Sequence, residues 1–258
     1  MNAMPQLNTL IEGQGPMVVL SHALGCDLHM WDGLAEQLKH DYTVLRYDHR
    51  NHGQSEIVPG AFGIETLADD VAELIRQHCH DGEPVHFVGV SMGGMTAQAL
   101  AVRHPELLRS IVIANSSAHY PDPAPWQARE RTVRAEGIAT IATGAIARWL
   151  TPEFAATPQG AALADALHKQ LVTTDAEGYI ASCNAVGGID FRESNPRVTV
   201  PTLVIAGTRD EATPPAMSEA IATAIPGARL VTINAAHLSV VEQPAPFAAL
   251  LNDFWHTL

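Results

Sequence analysis

The sequence predicts an α/β protein, a mostly parallel, doubly wound sheet of about seven strands with an inserted helical cap. Three observations carry that expectation. Short apolar, β-branched runs recur at roughly even distances, with helical patterns between them. The runs are continuously apolar rather than alternating, as befits strands covered on both faces. One interval, between the runs at 110–114 and 202–206, is roughly 85 residues long, where a single crossover helix needs only about 10 to 20.

Taken in order, the strand-like runs lie at 17–20, 43–47, 85–90, 110–114, 202–206 and 229–233. The long interval carries helical patterns at 126–141, 146–150, 161–172 and 176–185, punctuated by Pro121, Pro123, Pro125 and Pro152. A cap over the sheet's C-terminal edge is the simplest account. The chain then divides into a first core part at 1–118, the cap at 119–196 and a second core part at 197–258.

Composition narrows the function classes. With 258 residues and 47% apolar content the chain can bury a large core. A formal net charge of −13 argues against nucleic acid or an anionic membrane as partner, and it supplies no long-range attraction for an anionic substrate. No stretch has the length of a membrane span, and 1–5 lacks a leader's basic and apolar regions, so a cytoplasmic protein is the default expectation. Cys26, Cys79 and Cys183 are too dispersed for a disulfide framework or a zinc ribbon and read as buried free thiols.

The chemistry is concentrated in Gly89-Val90-Ser91-Met92-Gly93-Gly94, which follows a strand-like run and opens a helix-like one. A serine on so tight a strand-to-helix turn needs small residues two before and two after it. Gly89 and Gly93 meet that need. A serine hydroxyl is a poor nucleophile unless a base takes its proton and an acid orients the base. On this kind of sheet the acid and then the histidine follow the serine along the chain. Asp210, just past the 202–206 strand, is the acid by its G-x-x-D-x-x-x-P spacing, with Glu211 as competitor. His237, just past the last strand, is the base; none of the other twelve histidines has an equivalent argument, and His22 reads as structural. The oxyanion donors are the backbone N–H groups of Met92 and of Leu24, in the loop after the first parallel strand. Ser21, Ser116 and Ser117 lack the glycine bracket and read as pocket lining or turn formers, and Ser55 as a cap.

With these residues placed, the chain resembles the α/β-hydrolase family over nearly its whole length. Within it, the chain is most similar to the 3-oxoadipate enol-lactonases of aromatic catabolism. The likeness runs through Leu24-Gly25-Cys26-Asp27-Leu28-His29-Met30-Trp31, Val44-Leu45-Arg46-Tyr47-Asp48, the serine turn, Arg134-Ala135-Glu136-Gly137, Arg148-Trp149-Leu150-Thr151 and Gly178-Tyr179. Asn51 stands where that family has a glycine, the Asp210 loop is shorter, and the opening hairpin is reduced to about 7–11, so an edge strand is in question. The resemblance implies a serine hydrolase that opens a carboxylate-bearing enol-lactone through an acyl-enzyme, with no metal or organic cofactor.

Such a substrate needs a local cation. Trp126, Arg129 and Val133 share one helical face, which makes Arg129 the first choice, followed by Arg134 and Arg148; for any one of them a solvated helix-face arginine is the stronger reading. Trp126 and Trp149 either wall the pocket or pack the cap onto the core. The rival readings are a carboxylesterase or other lactonase with a neutral small-molecule substrate, with perhydrolase side activity, and a hydrolase-fold binding protein. Monomer and homo-oligomer both remain open.

Overall fold

The computed structural model describes residues 4–79 and 82–258. A seven-stranded sheet runs through it in the order β1-β3-β2-β4-β5-β6-β7. The strands are β1 (Thr9–Gly13), β2 (Met17–Ser21), β3 (Thr43–Tyr47), β4 (Val85–Val90), β5 (Leu108–Ala114), β6 (Thr202–Gly207) and β7 (Arg229–Ile233). All pairings are parallel except β1 with β3. The questioned edge strand is therefore present, two residues later than the 7–11 expected for it. β2, β4, β5 and β6 are almost wholly buried, in keeping with their continuous apolar runs. β7 departs from that expectation. As the other edge it exposes Arg229, Leu230 and Thr232 and buries only Ile233.

Core helices α1 (Asp32–Leu38), α2 (Ile64–His78) and α3 (Met92–Arg103) precede β5, and α9 (Pro215–Ala224), α10 (Ser239–Glu242) and α11 (Pro244–Trp255) follow β6. Between β5 and β6 lie α4 (Ala124–Glu136), α5 (Ala139–Trp149), α6 (Pro152–Ala155), α7 (Pro158–Thr173) and α8 (Ala176–Gly187). The pattern at 126–141 is two helices rather than one. Gly137 turns the chain at φ +84°, and its N–H closes α4 on the Val133 carbonyl. The 146–150 pattern is the end of α5. Thr151-Pro152 and Thr157-Pro158 start α6 and α7, the threonine hydroxyls accepting from Phe154 N–H and Gly160 N–H.

The register lines up the strand ends that matter. Ser21 is level with Gly89, Val90 with Ala114, and Gly207 with Ile233. Residues just beyond β2, β4, β5, β6 and β7 therefore gather at one edge, beneath the cap. Among the described residues, no helix is long and apolar enough to cross a membrane. The cysteines are free; Cys26 and Cys183 are buried as expected, whereas Cys79 is half-buried.

Candidate active site

Ser91 sits at φ +56°, ψ −115°, backbone that a β-to-helix hairpin this tight enforces on a non-glycine residue. The bracket works by close approach. A side chain at Gly89 would strike the Gly93 carbonyl, and one at Gly93 the Ser21 carbonyl. The turn is held by Ser91 N–H donating to Ala114 O at 3.0 Å, and by Ser116 Oγ donating to Ser91 O at 2.8 Å. Ser116 thus supports the elbow rather than lining a pocket. Ser117 forms a turn with His119, and Ser55 ties the Asp48 carbonyl to the N–H of Asn8 instead of capping a helix.

Asp210 and His237 meet. His237 Nδ1–H donates to Asp210 Oδ2 at 2.9 Å, which leaves Nε2 as the free ring nitrogen. Both residues are buried, at 4% exposure each. Asp210 also accepts from the N–H groups of Ala212 and Thr213, from the Thr213 hydroxyl and from the Asn115 amide. Burial works against ionisation of Asp210. The charge and hydrogen bond of His237 lead the interactions that outweigh it, and the carboxyl is held below its usual range. Glu211 lines the same cavity but makes no bond to His237.

The loop after β2 is fixed by His22, which the sequence reads as structural, and by His49 and His52, which sequence reasoning left without a role. His49 N–H donates to His22 Nε2 at 2.9 Å, and His22 Nδ1–H donates to the Ala23 carbonyl. Gly25 N–H donates to His52 Nε2, and Ala23 N–H to the Met30 sulfur. The His22 and His52 rings each accept a backbone proton, which the neutral form allows, while the His49 ring meets the Ser21 hydroxyl at 2.9 Å. Burial favours the neutral form: it lowers His22, sets His49 well below the ordinary value and pushes His52 down to about 3. With its neighbours engaged, the N–H of Leu24 is left without a partner among the described residues, as is that of Met92 at the start of α3.

Leu24, Ser91 and His237 line one cavity of about 250 Å³. The cap contributes Trp126, Arg129, Arg148 and Trp149 to its wall. The Arg129 guanidinium lies over the Trp126 ring, 4.7 Å from its centre. Among the described residues neither Arg129 nor Arg148 belongs to an ion pair. Arg134 is placed elsewhere. It is exposed, does not line the cavity that holds Ser91, and is paired with Glu130 at 2.6 Å and Glu177 at 2.8 Å. Asn115, Thr213 and Glu242 were missed, because a buried amide, hydroxyl or carboxylate outside a motif leaves no sequence signal.

The α/β hydrolase fold model matches residues 16–136, and a TAP-like protein model of the same kind matches 181–245. 3-Oxoadipate enol-lactonase 2 of Acinetobacter baylyi is 35% identical over 243 residues, covering 93% of this chain and 90% of that protein. The chain belongs to the α/β-hydrolase family. The crystal structure of the enol-lactonase from Burkholderia xenovorans LB400 superposes with a TM-score of 0.92 at 36% identity, covering 98% of this chain and 97% of that one. A malate-bound thermophilic esterase from Thermogutta terrifontis has a TM-score of 0.90 at 28% identity, covering 98% and 94%.

Proposed function

We propose that this α/β-hydrolase opens a small, carboxylate-bearing enol-lactone, with Ser91 as nucleophile, His237 as base and Asp210 as the residue that holds the imidazole. One observation carries the reading: the serine and the histidine share a small cavity with Arg129 and Arg148, neither of which has an acidic ion-pair partner among the described residues. The similarity to the enol-lactonases of Acinetobacter baylyi and Burkholderia xenovorans supports the same substrate class. In a molecule of net charge −13, an anion needs such a local cation.

Ser91 Oγ attacks the lactone carbonyl carbon while His237 Nε2 takes its proton. The resulting oxyanion rests on the N–H groups of Leu24 and Met92. The bond to the ring oxygen breaks, and His237 returns the proton to the departing enol oxygen. The product of that step is an acyl-enzyme whose leaving group is still tethered. Water, deprotonated by His237, then attacks the ester, Ser91 recovers its proton, and the released enol ketonises.

A second reading, a neutral small ester as substrate, is favoured by the apolar share of the same wall, with Ala145, Trp149 and Val186, and by the similarity to the Thermogutta esterase. A panel of enol-lactones and aryl esters assayed with the purified protein separates the two. The carboxylate-bearing lactone is expected to exceed its neutral counterpart in kcat/KM by about 10- to 100-fold, the scale of a hydrogen bond to a charged group. Equal values would favour the ester reading. Ser91→Ala should lower turnover on every substrate by about three or more orders of magnitude. A variant that keeps near-full activity would remove the nucleophile assignment altogether.

A further inference from the structure

We propose that Asn115 is a positioning residue that sets the strength of the Asp210–His237 pair and fixes both loops that carry it. Asn115 follows β5 directly and is wholly buried, at φ +48°. Its Nδ2 donates to Asp210 Oδ2 at 3.0 Å, the same oxygen that accepts from His237. Nδ2 also reaches the Ala236 carbonyl, next to His237, at 3.2 Å. Its Oδ1 accepts from Ser239 Oγ at 2.5 Å, which orients the amide with its donors toward the acid. One side chain thereby joins the end of β5, the loop after β6, the loop after β7 and the first residue of α10.

The left-handed backbone is what permits this reach. A β conformation would continue the strand, whereas φ +48° turns the amide in under the two loops; asparagine adopts that region more readily than most residues. The chemical consequence is competitive. Asp210 Oδ2 shares its electron density between the Asn115 amide and His237 Nδ1–H. The amide therefore stabilises the carboxylate without His237 and weakens its pull on the imidazolium. Removing the amide leaves the oxygen more fully to His237, favours the protonated ring and moves the acid limb of the pH profile upward.

This inference rests on the triad reading above, and the experiment keeps the two apart. Asn115→Gly, which accepts the backbone at φ +48°, Asn115→Asp and Ser239→Ala are compared with the parent in kcat/KM from pH 5 to 9, alongside thermal melts. The ionisable groups facing the pair are Glu211 of the acid loop, Glu242 of α10, and Tyr120, Asp122, Arg129 and Arg148 of the cavity. All are unchanged across the set, so a difference between Asn115→Gly and the parent belongs to the amide. Asn115→Gly should lower kcat by about 10- to 100-fold with KM little changed, on the scale of one hydrogen bond to a charged group. Its acid limb should move to higher pH. Asn115→Asp shares one proton with Asp210 and so keeps a donor on Oδ2; its acid limb should move less than that of Asn115→Gly. Ser239→Ala should give a smaller shift of the same sign. A lower melting temperature with the acid limb unmoved in all three would overturn the proposal and leave Asn115 a packing residue. Retained activity in Ser91→Ala would instead remove the triad reading itself.

Discussion

At the scale of single residues, partners decide what an arginine can do. Arg134 spends its guanidinium on Glu130 and Glu177, and the like-signed surroundings that pair it make it a poor anion receptor. Arg129 has a ring beneath it and no carboxylate. A guanidinium stacked on tryptophan still presents its edge to a planar anion. Arg129→Ala is therefore expected to raise KM for the carboxylate-bearing lactone about tenfold or more. It should leave a neutral aryl ester nearly unchanged, and Arg134→Ala should change neither. Michaelis–Menten curves on both substrates read this directly. An equal rise on both substrates in Arg129→Ala would show that the side chain shapes the cavity rather than binding charge.

At the scale of elements, the cap and the histidine loop are joined through one buried carboxylate. Glu242 of α10 accepts from Ala236 N–H at 2.7 Å, from Thr151 N–H at 3.2 Å and from the Thr151 hydroxyl at 2.5 Å. Leu238 N–H donates to the Trp149 carbonyl beside it at 2.9 Å. The chain that brings Trp149 to the cavity and the loop that carries His237 thus share their bonds. Glu153 and Arg209 pair across the same boundary, but both are exposed and that ion pair contributes little. Glu242→Ala leaves three donors without an acceptor, and each buried one costs about 1–3 kcal/mol. Lower stability, a higher KM and a lower kcat should appear together, and Glu242→Gln should restore most of all three because its amide oxygen still accepts both N–H groups. Unaltered kinetics in a destabilised Glu242→Ala protein would confine the residue to folding. This clasp also marks the limit of what the chain discloses by itself. The central strands of the sheet were legible because burial on both faces writes a continuous apolar run, and Ser91, Asp210 and His237 because they sit at fixed offsets from strand ends. The break at Gly137 was not legible, since a glycine inside a helical pattern reads as tolerated until φ is known. Nor were Asn115 and Glu242, each of which has a partner more than ninety residues away.

At the scale of the whole molecule, the same burial that lowers His22, His49 and His52 makes the fold sensitive to acid. His52 is pushed down to about 3 by burial and then by His22; His86, stacked on Trp255 and bonded to Ser110, is lowered to about 4 by burial and then by Arg109. In the unfolded chain both titrate near pH 6.5. Between pH 6.5 and these lowered values the unfolded state binds more protons than the native one, so stability falls as the pH falls. Above pH 6.5 both states are neutral and the effect vanishes. Asp210, held below its usual range, acts in a lower window: its contribution is present above pH 3.8 and is lost as the pH drops through its lowered value. The buried His52 alone removes about 1.4 kcal/mol per pH unit across its window. With His22 and His49 lowered as well, the loss of stability should steepen as the pH falls below 6.5. Urea melts at pH 7, 6 and 5 measure the slope directly. His86→Gln, which keeps an acceptor for Ser110, should flatten that slope by about one proton's worth. A stability that stays level from pH 7 to 5 would mean that water reaches these rings and that their neutrality is not enforced by the fold.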